Sequence, residues 1–214
     1  MYKITRKGIK TVFFKLNVLK KLFKDAYKGA GLTVGCMESK RGKAGYYISS
    51  GWWIMWFGID EMPKEVKAAV IELSGELPEA GEVFKTMKNM GNQYEIRQEE
   101  LYDLPAVYER CCCKFRITRL LIENGGELLH VIQEDGRGYH IRTVPEAVVK
   151  LIDKVVIDRE NGERPPEGPL GIGPSTNFLM WGNGTCYLIG SIHDLSHDEE
   201  YKQFLKHLEV AEIV

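Results

Sequence analysis

The sequence predicts an α+β fold, with antiparallel β-meanders and helices packed on one side. Three observations predict it. Apolar residues recur at spacings of three and four over residues 8–28, the mark of an amphipathic helix. Asn124-Gly125 and Asp135-Gly136 separate three apolar runs between residues 115 and 143, and such pairs supply the positive φ of tight hairpins. Pro63 and Pro145 each open a helical pattern after a strand-like run, where the missing N–H of proline costs nothing.

The elements follow in order. Ile9, Val12, Phe13, Leu16, Leu19, Phe23 and Tyr27 make the apolar face of the first helix. Lys7, Lys10, Lys21, Lys24 and Lys28 line a different face, with Phe14 and Asn17 between them, and Gly29 and Gly31 stop the helix. Residues 32–38 and 46–50 read as strands. Ser49-Ser50-Gly51 turns the chain into 52–57, where Trp52, Ile54 and Trp56 alternate with Trp53, Met55 and Phe57. A strand apolar on both faces is central and covered twice. Pro63 opens a helix to Leu73, closed by Gly75.

Residues 81–87 and 93–97 read as further strands. A helix over 99–110 is bent or shortened by Pro105. Strands 115–123, 128–133 and 139–143 form a meander, and Pro145 starts a helix to Lys154. Residues 158–174 are a Pro- and Gly-rich loop. A hairpin over 177–191 turns at Asn183-Gly184, and Ser196 with Glu199 caps a last helix.

The order of helix, three strands and helix occurs at 8–73 and again at 99–154. Met62-Pro63 with Val66 and Val70 echoes Val144-Pro145 with Val148 and Ile152. Either a helix-plus-three-strand unit is duplicated, or common elements recur by chance. The matching division is 1–90 and 91–157 as two helix-plus-meander units, with 158–214 completing the same globule.

The 214 residues are 44% hydrophobic and 28% charged, ordinary for one large or two small folded domains. The most apolar run, 52–59, is far short of the roughly 20 residues a spanning helix needs. Lysines interrupt the N-terminal region, so neither a membrane segment nor a secretory signal is expected. Five cysteines, an odd number, suit reduced thiols in a cytoplasm.

The net charge of −1 hides an asymmetry. Residues 1–45 hold twelve Lys and Arg against Asp25 and Glu38, while the rest holds 17 basic and 28 acidic residues. That split suits a basic surface facing a polyanion, or facing the protein's own acidic part. Lys7, Lys10, Lys21, Lys24 and Lys28 are therefore candidates for nucleic-acid binding, because ammonium groups along one face neutralise successive phosphates. The plain alternative is a solvated face paired with nearby acids. Trp52, Trp56 and Trp181 are candidates for stacking on bases or anchoring a protein partner. The two-faced alternation around Trp53 argues instead that this strand is core.

The remaining features carry less chemistry. His193, His197 and Asp198 suggest a metal site, but the cap at Ser196 places His193 before the helix, so the two rings need not share a face. Adjacent Cys111, Cys112 and Cys113 bridge one another poorly, and Cys36 and Cys186 are single and distant. No metal and no cofactor is expected. The glycines of 168–174 lack the Lys-Ser or Lys-Thr of a phosphate loop. Asp135, Arg137 and His140 flank a turn with no nucleophile beside them.

The stretch YYISSGWWIMWFGIDEMPKEVKAAVIELSGELPEAGE, with QEDGRGYHIR and IGPSTNFLMWGNG, resembles an uncharacterised family carried on conjugative elements and other mobile DNA of gut Firmicutes. The resemblance covers most of the chain and implies a bacterial cytoplasm and a connection with DNA maintenance or transfer; it implies no catalytic residues. In architecture, a basic helix before three antiparallel strands is similar to the repeat of DNA sliding clamps, a likeness of fold alone. Together these readings lead to a non-enzymatic accessory protein of a mobile element that binds nucleic acid through its first helix. The alternatives are a protein–protein interaction module that uses the Trp-rich strand or an acidic surface, toward another protein or a second copy of the chain, and an enzyme with an unrecognised site.

Overall fold

The computed structural model describes residues 13–94, 96–134, 141–153, 167–173 and 176–192, with Gln203 and His207, which are helical. The chain runs through α1 (Leu16–Lys28), β1 (Leu32–Glu38), β2 (Ala44–Ser50), β3 (Trp53–Gly58), α2 (Lys64–Ser74), β4 (Val83–Met87) and β5 (Gly91–Gln93). It continues through α3 (Leu104–Tyr108), β6 (Cys113–Asn124), β7 (Glu127–Glu134), β8 (Ile141–Pro145), α4 (Glu146–Leu151), β9 (Glu167–Gly171), β10 (Phe178–Gly182) and β11 (Cys186–Ser191). All eleven strands join one antiparallel sheet in the order β5-β4-β1-β2-β3-β11-β10-β9-β6-β7-β8. The α+β class with antiparallel meanders is therefore as the sequence predicts.

Side-chain alternation sends the strands' apolar residues to two faces. On the first, Val34, Ile48, Trp53, Phe57 and Leu188 pack beneath α1, α2 and α4. On the second, Met37, Tyr47, Trp56 and Tyr187 pack beneath Leu104 of α3 and the neighbouring Leu101 and Val107. Three helices thus share one side as expected, and the short α3 lies on the other. Central β3 is covered twice, as its alternation predicts. Trp53, Trp56 and Trp181 are 2%, 1% and 2% exposed, while Trp52 sits half-buried in the turn before β3. We expect acrylamide or iodide to quench a minority of the tryptophan emission, and Trp52→Phe to remove most of that quenchable part. Efficient quenching of all four indoles in the folded protein would contradict the two-sided cover.

The order β5-β4-β1-β2-β3 recurs as β10-β9-β6-β7-β8, with β11 inserted between β3 and β10. Helices α2 and α4, which follow β3 and β8, both pack on the first face and keep this recurrence, whereas α1 packs on the first face and α3 on the second.

Three local differences from the predicted elements have physical causes. The first helix begins at Leu16, not at residue 8. Phe13 and Phe14 are both buried in extended chain, with Asp153 N–H donating to the Phe13 carbonyl at 2.7 Å and Lys15 N–H to that of Leu151 at 2.8 Å. Residues 1–12 lie outside the described residues. The helix predicted over 99–110 contracts to five residues, because Asp103 caps it and Pro105 occupies its first turn. Strand β9 lies within the predicted Pro- and Gly-rich loop. Gly168 has φ of 139°, and a Cβ there would sit 2.5 Å from the Met180 carbonyl oxygen, so glycine lets β9 pass close to β10. No described helix is long and apolar enough to cross a membrane.

Candidate nucleic-acid interface

Helix α1 is held from within and charged outside. Leu19 and Phe23 are fully buried, and the Phe23 ring stacks on Trp53 with centroids 5.8 Å apart and planes 20° from parallel. Its C-terminal end closes at Gly29, whose N–H donates to the carbonyls of Asp25 and Ala26. With that face fixed, the helical period turns Lys21, Lys24 and Lys28 outward along one stripe, and all three are exposed. The one acid within the helix, Asp25, is also exposed.

The neighbouring helix is acidic where it meets this stripe. Lys24 Nζ lies 3.1 Å from a carboxylate oxygen of Glu72 on α2, with both side chains at least half exposed. Among the described residues, pairing of the α1 stripe with the chain's acidic remainder is thus realised at one lysine of the three. Lys7 and Lys10 fall outside the described residues.

Two of the tryptophan candidates are core. Trp56 lies on the second face with its ring 5.7 Å from Tyr187, and Trp181 packs in the first-face core. At their exposures neither can stack on a base or seat a partner, so the structure corrects that reading. Trp52 is half-buried, and its carbonyl accepts from Ser191 N–H at 2.8 Å.

A concavity of about 480 Å³ lies on the other side of the sheet. Met37, Leu101 and Val107 contribute apolar lining, and Lys40, Tyr102, Asp103 and Arg110 contribute polar groups. Asp103 organises it. Its Oδ1 accepts from Ser39 Oγ–H at 2.7 Å and from Ala106 N–H at 3.1 Å, and its Oδ2 accepts from Lys40 N–H at 2.8 Å. Burial alone would push this carboxyl upward, but the Ser39, Lys40 and Ala106 donors outweigh it and hold it below the ordinary aspartate value of 3.8. Arg41 adds an ion pair to Glu109 at 2.5 Å, so the β1–β2 turn is tied to α3 twice. The sequence reading missed this groove; the Asp-Leu-Pro of residues 103–105, an N-cap followed by proline, was the available signal.

Asp103→Ala is expected to cost about 1–2 kcal/mol through the lost cap. Because the folded carboxyl titrates low, that deficit is fully present above about pH 4 and closes as pH falls through the lowered value. Urea midpoints of both proteins at pH 7, 5 and 3 check this; a gap that widens in acid would refute it.

Burial disfavours the thiolate at Cys36, Cys111, Cys113 and Cys186. Cys36 and Cys186 are buried, burial pushes Cys111 up to about 11, and Cys113 is also raised by burial and by its neighbour Cys112. Cys112 is exposed, and its Sγ lies 3.1 Å from the Ile172 carbonyl oxygen. Among the described residues no group of three or more His, Cys, Asp or Glu is placed to hold a metal. Asp135, Arg137, His140, His193, His197 and Asp198 lie outside the described residues. No protein-family model matches this chain, and neither a curated protein nor a solved structure matches it significantly.

Proposed function

We propose that this chain binds a polyanion, most directly the phosphate backbone of DNA, through the outer face of α1, as a non-enzymatic accessory protein of a mobile element. The observation that supports the reading is the exposed stripe of Lys21, Lys24 and Lys28 on a helix whose opposite face is locked into the core by Leu19 and Phe23. The stripe spans about 10 Å at the helical rise, enough for neighbouring phosphates. Trp53, Trp56 and Trp181 are buried away from it, so contact is with phosphates and not with bases. Such binding is indifferent to sequence, falls steeply with salt, and lies at about 10⁻⁴ to 10⁻⁶ M at physiological ionic strength.

The test is a titration of a short DNA duplex with wild type and with the Lys21→Glu, Lys24→Glu, Lys28→Glu triple variant. Loss of binding by at least about tenfold at low salt, with the protein still folded, is the expected result. The reading fails if wild type does not bind at low salt or if the variant binds equally well.

One observation favours a different role. Tyr102 at the mouth of the groove is 61% exposed beside the half-buried Leu101, which suits a protein–protein interaction module. A wild type that ignores DNA but associates through a Tyr102-dependent contact would favour it.

A further inference from the structure

We propose that Glu72 of α2 is a built-in competitor for the polyanion and sets the affinity of the α1 stripe; this inference rests on the DNA-binding reading above. Lys24 is the middle lysine of the stripe, and its ammonium lies 3.1 Å from the Glu72 carboxylate. Among the described residues, Lys21 and Lys28 have no such ion pair. A phosphate arriving along the stripe therefore meets two free cations with a neutralised one between them.

The pair is suited to exchange. Side-chain exposures of 50% for Lys24 and 62% for Glu72 leave both ends in water, where an ion pair contributes little and breaks easily. When Lys24 turns to a phosphate, Glu72 is left as a bare anion close to the bound backbone. It opposes binding by repulsion, and it takes up a counterion, cancelling one of those the nucleic acid releases. Glu72 thus lowers both the affinity and the salt sensitivity of the site. Its effect is local, because at about 0.1 M salt charges separated by more than about 10 Å are largely screened. Glu65 offers the comparison. It is an exposed acid on the same helix, seven residues from Glu72, with no ion pair to the stripe among the described residues.

The experiment measures duplex binding by fluorescence anisotropy across a salt series for wild type, Glu72→Gln, Glu65→Gln, Lys24→Gln and the Lys24→Gln/Glu72→Gln double variant. Glu72→Gln should bind about two- to fivefold tighter. Its plot of log affinity against log salt should steepen by about 0.9, one phosphate contact's worth. Glu65→Gln should match wild type at 0.1 M salt, and the gain should shrink when Lys24 is absent, since only the repulsion then remains. The proposal is overturned if Glu72→Gln equals wild type, if Glu65→Gln gives the same gain, or if the gain is undiminished without Lys24. If neither wild type nor Glu72→Gln binds DNA at low salt, the DNA-binding reading itself has failed and the competitor role goes with it.

Discussion

Gly45→Ala is expected to lose about 3 kcal/mol of stability, the upper end of the usual range for overpacking. Gly45 lies on β2 opposite Met37 of β1 and Gly58 of β3, on the second face of the sheet. A Cβ added there would sit 2.2 Å and 2.3 Å from two indole carbons of Trp56 and 2.5 Å from the Phe57 carbonyl oxygen. None of these can yield. Trp56 is 1% exposed and packed against Tyr187, and the carbonyl belongs to the sheet ladder. For a chain of this length the loss lowers the thermal midpoint by about 6–12 °C. Gly173→Ala is the control, since nothing lies within 4 Å of its added Cβ, and it should stay within about 0.5 kcal/mol of wild type. Equal urea midpoints for the two variants would mean that Trp56 does not lie over Gly45.

The other large effect is expected at Phe23, where alanine should cost about 3–5 kcal/mol, the range for emptying a buried aromatic site. The ring is fully buried and bridges α1 to the Trp53 of central β3. Its loss opens a cavity beneath the helix that carries the lysine stripe. Two readouts should therefore move together. The urea midpoint falls, and Trp53 emission shifts red as water reaches the indole. If the DNA-binding proposal holds, DNA affinity should fall only under conditions where the helix undocks, whereas the triple lysine-to-glutamate variant should lose affinity while still folded. A Phe23→Ala protein as stable as wild type would refute the anchoring role.

What could be read from the residues was whatever is written locally. The strand 32–38 was recovered residue for residue, because Gly29 and Gly31 end the preceding helix just before it and Thr33 and Val34 favour extended chain. The helix opened by Pro63 and closed by Gly75 was legible for the same reason, and Gly75 adopts the left-handed conformation that ends it. Elements decided by distant partners were not legible. Phe13 and Phe14 fit a helical pattern by spacing, yet pairing of Phe14 with Ile152 holds them extended. Strand β9 carries glycine and proline that argue against a strand, and its neighbours β10 and β6 override them. The groove around Asp103 depends on Ser39, 64 positions earlier in the chain. The lysine stripe was legible as a face, but its partner Glu72 was not, because no spacing rule links one helix to the next.

The position of β11 bears on how the chain reaches this state. It sits between β3 and β10, so the sheet's middle seam is closed by the last of the eleven described strands to leave the ribosome. Phe57 must wait for Cys186 across most of the chain's length. Until then β3, which carries Trp53 and Trp56, presents a bare hydrogen-bonding edge next to large apolar surface. Such an edge recruits other strands, and so long a separation between partners slows closure. Synthesis thus passes through a window in which the nascent protein is exposed to self-association, and a holding chaperone or slow dilution during refolding would raise the yield of native molecules by covering that one seam.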